Sequence, residues 1–329
     1  MTRPAVLGGG SWGTALALVL ARRGLPVRLW IHNAELARRV VETRVNDTYL
    51  PGFELPENIL IGSEPASSLE TADVVVTAVP SHVLRSVLAK ARQYISPGAP
   101  FVSATKGLEE GTLFRMSEVI GQVTGRRDIA VLSGPSFARE VAAEQPTAVV
   151  TAAHDPALAQ AVQRLFSGSR FRVYTSADPI GVEIGGAMKN VVALGAGICH
   201  GLGLGQNALA ALVTRGLAEI TRLALALGGQ PRTLAGLAGL GDLVLTCTGN
   251  LSRNRNVGIQ LAEGKRLDDI TGAMRMVAEG VKTTHSVVQL GKRHNVVLPI
   301  AEQMHAVLHS ERSPAEAIRR LMERSLREE

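Results

Sequence analysis

At 329 residues, with 46% hydrophobic and 19% charged side chains, the chain has the composition of a soluble globular protein of about two domains, each able to bury its own core. The net charge of +6 comes from scattered arginines, many beside glutamates, as in Arg319 and Arg320 near Glu316 and Glu323, and aromatics are only 3%, so a nucleic-acid surface is not expected. Cys199 and Cys247 lie far apart in apolar or small-residue surroundings and read as reduced thiols of a cytoplasmic protein, not as a disulfide framework or zinc cluster.

The chain opens with a short apolar run, Ala5-Val6-Leu7, then Gly8-Gly9-Gly10-Ser11-Trp12-Gly13, then apolar residues at helical spacing through 13–23 and a second strand at 27–31. Gly8, Gly10 and Gly13 fit the G-x-G-x-x-G spacing of a dinucleotide site. The first lets the chain turn out of the strand, the second admits a pyrophosphate to the backbone, and the third lets helix and strand pack closely. Residues 4–21 are uncharged and follow Arg3, superficially like a leader. Four glycines and a βαβ pattern running through them argue against targeting.

Further strands are expected at 59–61, 74–77, 101–103, 130–132, 148–150 and 171–174, with a helix at 33–44 after the second strand and helices between most of the others. This predicts an α/β, Rossmann-type, doubly wound and mostly parallel sheet in a dinucleotide-binding domain, 1–177. From 178 the pattern turns to helix after helix, at 180–197, 208–227, 233–245, 253–263, 280–294, 299–309 and 314–326, giving an all-α substrate and catalytic domain, 178–329. Residues 191–214 form an uncharged run long enough to span a bilayer, but five glycines with Gln206 and Asn207 favour a buried helix, a loop and a second helix over a membrane span.

Ligands of such sheets bind at the carboxyl ends of the strands. There the chain places Val79-Pro80-Ser81, Thr105-Lys106-Gly107-Leu108-Glu109 and Ser133-Gly134-Pro135-Ser136-Phe137-Ala138. In the helical half, Lys189 is the only Asp, Glu, Lys or Arg between Ile184 and Thr214. A desolvated amine is suited to proton transfer, and Gly185 and Gly186 one turn before it are expected to leave open space beside it. Asp242 is equally isolated between 233 and 252. It could orient Lys189, accept a substrate hydroxyl, or cap a helix. Ser252-Arg253-Asn254 opens a helix with Ser252 at its N-cap, a good receptor for a phosphate.

Taken together, these motifs resemble bacterial NAD(P)-dependent glycerol-3-phosphate dehydrogenase, in the right order from residue 5 to about 285. The resemblance implies a fold like that of 6-phosphogluconate dehydrogenase. It also implies reversible reduction of dihydroxyacetone phosphate to sn-glycerol 3-phosphate for phospholipid synthesis. Lys189 would be the proton donor, and Lys106, Gly134, Ser136, Lys189, Asp242, Ser252, Arg253 and Asn254 would hold the substrate. Ser11, Trp12, His32, Asn33, Tyr49, Lys106, Ala138, Arg253, Val277 and Glu279 would join Gly8, Gly10 and Gly13 at the cofactor, with no metal.

His200 and Leu209 depart from the family pattern, which commonly has an aspartate and a basic residue at these places. His32 and Asn33 stand where an NAD enzyme usually places an acid on the ribose, with Glu35 already on the helix and Arg38 and Arg39 beyond. NADPH is therefore expected to be accepted, with the choice between NADP and NAD left open. The apolar helical surface makes a homodimer the expectation. A β-hydroxyacid dehydrogenase of the same two-domain design and a non-catalytic dinucleotide-binding regulator are the alternatives. The phosphate receptor argues against the first, the isolated Lys189 and Asp242 against the second.

Overall fold

The computed structural model describes residues 2–274 and 277–325. Strands and helices alternate through β1 (Pro4–Leu7), α1 (Ser11–Ala21), β2 (Val27–Trp30), α2 (Ala34–Thr43), β3 (Ile59–Gly62), α3 (Pro65–Leu69), β4 (Val74–Thr77) and α4 (Leu84–Ala91). They continue through β5 (Phe101–Ser103), α5 (Met116–Thr124), β6 (Ile129–Ser133), α6 (Ala138–Ala142), β7 (Thr147–Ala152), α7 (Pro156–Phe166) and β8 (Phe171–Ser176). All eight strands expected from the sequence are present. Their order is β3-β2-β1-β4-β5-β6-β7-β8, parallel throughout except where β7 meets β6.

The strands read as continuous apolar runs because both faces of the sheet are covered. Alternate residues serve opposite cores. Val6, Val74 and Val76 pack with Leu16 and Leu20 of α1 and Val162 of α7, while Ala5, Leu7 and Val75 pack with Leu84 and Leu88 of α4 and Val119 of α5. The strand order reverses between β1 and β4, and the glycine-rich loop leaves β1 at that point.

The helical run comprises α8 (Pro179–Gly201), α9 (Gln206–Ala226), α10 (Pro231–Leu234), α11 (Asp242–Thr248), α12 (Arg253–Ala262), α13 (Leu267–Ala273), α14 (Glu279–Arg293), α15 (Pro299–Leu308) and α16 (Pro314–Met322). Three expectations change. The helix expected over 233–245 is broken into α10, a π-helical turn at Leu237–Gly241, and α11, because Gly236, Gly239 and Gly241 interrupt it. The helix α13, with two aspartates in its first turn, has too little apolar periodicity to be read from sequence. The last helix ends at Met322, and residue 326 of the expected span lies outside the described residues.

The chain forms two compact units, one from residues up to Lys106 with Phe114–Glu183, the other from Gly107–Leu113 with residues from Ile184 on. The first turn of α8 belongs with the sheet because Glu183 is bound there. Its carboxylate accepts from Arg115 Nη1 at 2.6 Å, from Ser117 N at 2.8 Å and from Ser117 Oγ at 2.7 Å. Burial raises the Glu183 pKa, and the Arg115 guanidinium and Ser117 donors oppose that rise.

In the second unit, α8 is the helix among the described residues long and apolar enough to cross a membrane, and its most apolar window is 100% buried, as in a core helix. It meets α12 backbone to backbone. A Cβ on Gly197 would stand 2.0 Å from the Arg255 carbonyl oxygen, and one on Gly258 would stand 2.0 Å from that of Leu194.

Candidate active site

The glycine loop is built for close approach. Gly8 has φ +128°, and a Cβ there would meet the Ala78 carbonyl at 2.7 Å; a Cβ on Gly13 would meet the Gly8 carbonyl oxygen at 1.8 Å. Gly10 differs, because a Cβ there would meet nothing within 4 Å. The chain itself does not require glycine at that position, so the open space suits an incoming ligand. Gly10 is also the N-cap of α1, which has no side-chain cap and no acid in its first turn. Its N–H groups and the positive end of its dipole are available to an anion. The buried indole Nε1 of Trp12 has no hydrogen-bond partner among the described residues. These features fit the pyrophosphate and adjoining groups of a dinucleotide.

The loop is held from behind. Asn46, wholly buried, donates from Nδ2 to the Gly9 carbonyl at 2.8 Å and to Thr14 Oγ1 at 2.9 Å, and its Oδ1 accepts from Tyr49 N at 3.2 Å. Ser11 Oγ donates to the Tyr49 carbonyl at 2.6 Å, which brings Tyr49 to the loop. Asn46 carries no motif signal, and only its buried amide reveals its role. At the end of β2, His32 is exposed, its ring centroid 5.6 Å from that of Trp30. Asn33 caps α2, its Oδ1 accepting from Leu36 N at 2.8 Å. Glu35 is exposed and paired with Arg39 at 3.9 Å, and Arg39 also reaches Asp47 at 3.2 Å.

A second group lies beyond β5 and β6. Gly134 has φ +135° and sits with its Cα against Val149. Its carbonyl accepts from Lys106 Nζ at 3.3 Å and from Ser136 Oγ at 2.9 Å, while Ala138 opens α6. Buried hydroxyls of Thr77, Ser103, Thr105 and Ser133, at or just beyond the carboxyl ends of β4, β5 and β6, have no hydrogen-bond partner among the described residues.

In the second unit Lys189, in the middle of α8, is ion-paired with Asp242, the first residue of α11. Lys189 is 7% exposed and Asp242 not at all. The expected open space at Gly185 is occupied: a Cβ there would stand 2.7 Å from the Ala238 carbonyl oxygen. The glycine instead admits the π-helical turn against α8, and that contact carries Asp242 to the amine. Of the roles open to Asp242 in the sequence, the ion pair with Lys189 is the contact formed, and the N-cap of α11 is Gly241 without a side-chain cap. Cys247, one turn further along α11, is pushed up to about 12 by burial, so its thiol stays protonated and unreactive at neutral pH.

Two more helices converge beside α8. Ser252 caps α12, accepting from Arg255 N at 3.3 Å. Asn254 donates to Asn190 Oδ1 at 3.0 Å and accepts from Gly280 N at 2.9 Å, tying α12 to α8 and α14. A Cβ on Gly280 would stand 2.6 Å from the Asn190 carbonyl oxygen, so α14 and α8 meet backbone to backbone here, with the Asn254 side chain beside them. Exposed Arg253 donates to the Val277 carbonyl at 2.8 Å, next to Glu279 at the start of α14. His200 and Leu209 lie in the last turn of α8 and the first of α9, away from these contacts in sequence.

Comparison with known proteins agrees with both halves of this arrangement. Residues 4–159 match the family described as NAD-dependent glycerol-3-phosphate dehydrogenase N-terminus, and residues 178–319 match its C-terminus. The chain is 52% identical to a protein of Koribacter versatilis named glycerol-3-phosphate dehydrogenase [NAD(P)+], over 98% of each chain. It is 53% identical to the Geobacter sulfurreducens protein of the same name, over 99% of this chain and 98% of that one. The solved glycerol-3-phosphate dehydrogenase of Coxiella burnetii, 42% identical, superposes with a TM-score of 0.95 over 98% of this chain and 99% of the other.

Proposed function

The chain belongs to the NAD-dependent glycerol-3-phosphate dehydrogenases, and from that premise we propose that Lys189 is the proton donor of its reaction, kept charged by Asp242. It is an oxidoreductase whose cofactor is NAD or NADP, and the family match across both halves sets aside a β-hydroxyacid dehydrogenase and a non-catalytic regulator. The observation that carries the assignment is the buried Lys189–Asp242 pair.

When bound, the nicotinamide supplies the hydride. Lys189 gives its proton to the carbonyl oxygen of dihydroxyacetone phosphate and takes one back in the reverse direction, a step that a desolvated, oriented amine performs well. Asp242 fixes the position of the amine and favours its ammonium form, so the donor is loaded before each reduction. Gly8, Gly10, Ser11, Trp12 and Gly13 hold the cofactor phosphates on the N-terminus of α1, with His32, Asn33, Tyr49, Lys106, Ala138, Arg253, Val277 and Glu279 as further cofactor contacts. Lys106, Gly134, Ser136, Asp242, Ser252, Arg253 and Asn254 are the residues assigned to the substrate. Exposed Arg253 and the N–H groups beyond the Ser252 cap supply the chemistry a phosphate ester needs.

The exposed His32 and Arg38, with Glu35 drawn to Arg39, support acceptance of the 2′-phosphate of NADPH. The product feeds phospholipid synthesis in the cytoplasm. Exposed Leu204, Leu240, Val244 and Leu251 support a homodimer, which light scattering would detect. The test of the reaction mixes the purified chain with dihydroxyacetone phosphate and NADPH or NADH, and follows loss of reduced cofactor in wild type and Lys189→Ala. Turnover in wild type falling by about 10²- to 10⁴-fold in the variant is expected. Undiminished turnover by the variant removes Lys189 from the chemistry.

A further inference from the structure

Three histidines gather on the second unit, apart in sequence from every residue assigned above. His285 lies on α14, His305 in the last turn of α15, and His309 at the C-cap of the same helix. One ring nitrogen from each lies within 4.8 Å of the others, and His285 Nδ1 and His305 Nε2 are 3.1 Å apart. His285 and His305 are half-buried and His309 is exposed, so the cluster has a fixed side and an open side. From these positions we propose that His285, His305 and His309 form a binding site for a divalent transition-metal ion of the zinc type, joining α14 to α15.

The distances suit such an ion. Zinc–nitrogen bonds of about 2.0–2.1 Å in tetrahedral geometry place ligand nitrogens about 3.4 Å apart. The His285–His305 pair is already near that spacing, and no pair has to close by more than about 1.4 Å through ring rotation. The spacing of His305 and His309, four residues apart at a helix end, puts both rings on one face. Water completes the coordination from the exposed side.

The surroundings are those of a ligand set. The far nitrogen of His285, Nε2, lies 2.7 Å from the carboxamide nitrogen of Gln289, one turn along α14. Turning that carboxamide over brings its oxygen to His285 Nε2, where it would accept the Nε2–H and leave Nδ1 as a bare lone pair facing the cluster. This is the outer-sphere hydrogen bond that fixes the tautomer of metal-bound histidines. Burial, then the neighbouring His309 and His285, lower the pKa of His305, with Lys292 adding to this and Glu311 opposing it. A neutral imidazole is the form that ligates. An imidazole set with no thiolate and no carboxylate favours zinc, nickel or copper over magnesium or calcium.

The experiment is a titration of the chelator-treated chain, freed of any polyhistidine tag, with ZnCl2 by isothermal calorimetry at neutral pH, with melting curves in parallel. One zinc per chain is expected, with a raised melting temperature and at least tenfold weaker binding in His309→Gln, in His285→Gln and in the double variant. Exposed His309 can be changed without disturbing packing, so the variant reports ligation and not folding. Turnover of dihydroxyacetone phosphate is expected to persist in His309→Gln. Absence of saturable zinc binding in wild type, or binding undiminished in the double variant, overturns the site.

Discussion

Asp242→Asn isolates the electrostatic part of the proposed chemistry, because asparagine keeps the shape of the side chain and removes only its charge. Asp242 is fully buried at the start of α11 and pairs with Lys189. Thr246 anchors the same turn by donating to the Asp242 carbonyl at 2.6 Å. Two opposite unit charges even 4 Å apart interact by about 4 kcal/mol at an effective dielectric of about 20. At about 1.36 kcal/mol per pH unit, losing that interaction makes the ammonium form of Lys189 less favourable by about three units. Lys189 must be protonated to reduce the ketone, so the basic limb of the kcat profile should move by about that much toward acid in the variant. Activity would survive at low pH and fail at high pH. The assay is dihydroxyacetone phosphate reduction at saturating cofactor across the pH range, for wild type and variant. A variant that loses activity equally at every pH, its basic limb coincident with that of wild type, would refute the claim that Asp242 holds the proton donor in its charged form.

Other predictions test different parts of the molecule. Gly10→Ala should leave the melting temperature nearly unchanged, with at most about 1 kcal/mol lost at the helix cap, yet sharply raise the cofactor KM, because only a ligand uses the space beside it; a normal KM would mean that the phosphates bind elsewhere. Asn46→Ala should cost about 1–3 kcal/mol by stripping hydrogen bonds from Gly9, Thr14 and Tyr49, and calorimetric NADPH affinity should fall with it. Glu183→Ala leaves Arg115 with the more exposed Glu118 as its one ionic partner among the described residues and should cost about 3 kcal/mol in denaturant unfolding. Glu219 is pushed by burial up to about 7 from 4.5, against the N–H groups of Ile300 and Ala301. The folded chain thus keeps a proton that the unfolded chain releases above about 4.5, so this group's contribution falls by about 3 kcal/mol as pH rises to 7. Glu219→Gln should therefore gain in melting temperature relative to wild type between those pH values, and parallel curves would contradict the assignment.

What was readable in the sequence and what was not divides along physical lines. A parallel sheet covered on both faces imposes long apolar runs, so every strand could be placed, and the β1 loop announced itself because its constraints lie within six consecutive residues, Gly8 to Gly13. Lys189 and Asp242 stand out for the opposite reason, as single charges in long uncharged stretches, and each is itself buried. The π-helical turn left no comparable trace. Its glycines look like interruptions in a helix until Gly185 on α8 is seen to receive the Ala238 carbonyl, a fact that depends on two segments about fifty residues apart. Asn46 was hidden in the same way, since a buried amide in a polar loop is indistinguishable from an exposed one until its partners are known.

Glycine does three separate jobs here, and each leads to a different experiment. At Gly8 the backbone conformation demands it; at Gly185, Gly197, Gly258 and Gly280 another backbone occupies the place of the missing Cβ; at Gly10 nothing in the chain does. Adding a methyl group at the second kind should unfold or loosen the helical unit, because a carbonyl at 2.0–2.7 Å cannot yield without moving its helix. Adding it at the third should spare the fold and injure binding. These glycines, on α8, α12 and α14, thus determine how closely the helices approach Lys189 and Asn190, so the geometry of the proposed proton donor rests on backbone contacts as much as on the charged pair itself. Activity lost in Gly197→Ala with the melting temperature lowered, against activity lost in Gly10→Ala with the melting temperature kept, would separate these two uses of the same residue within one protein.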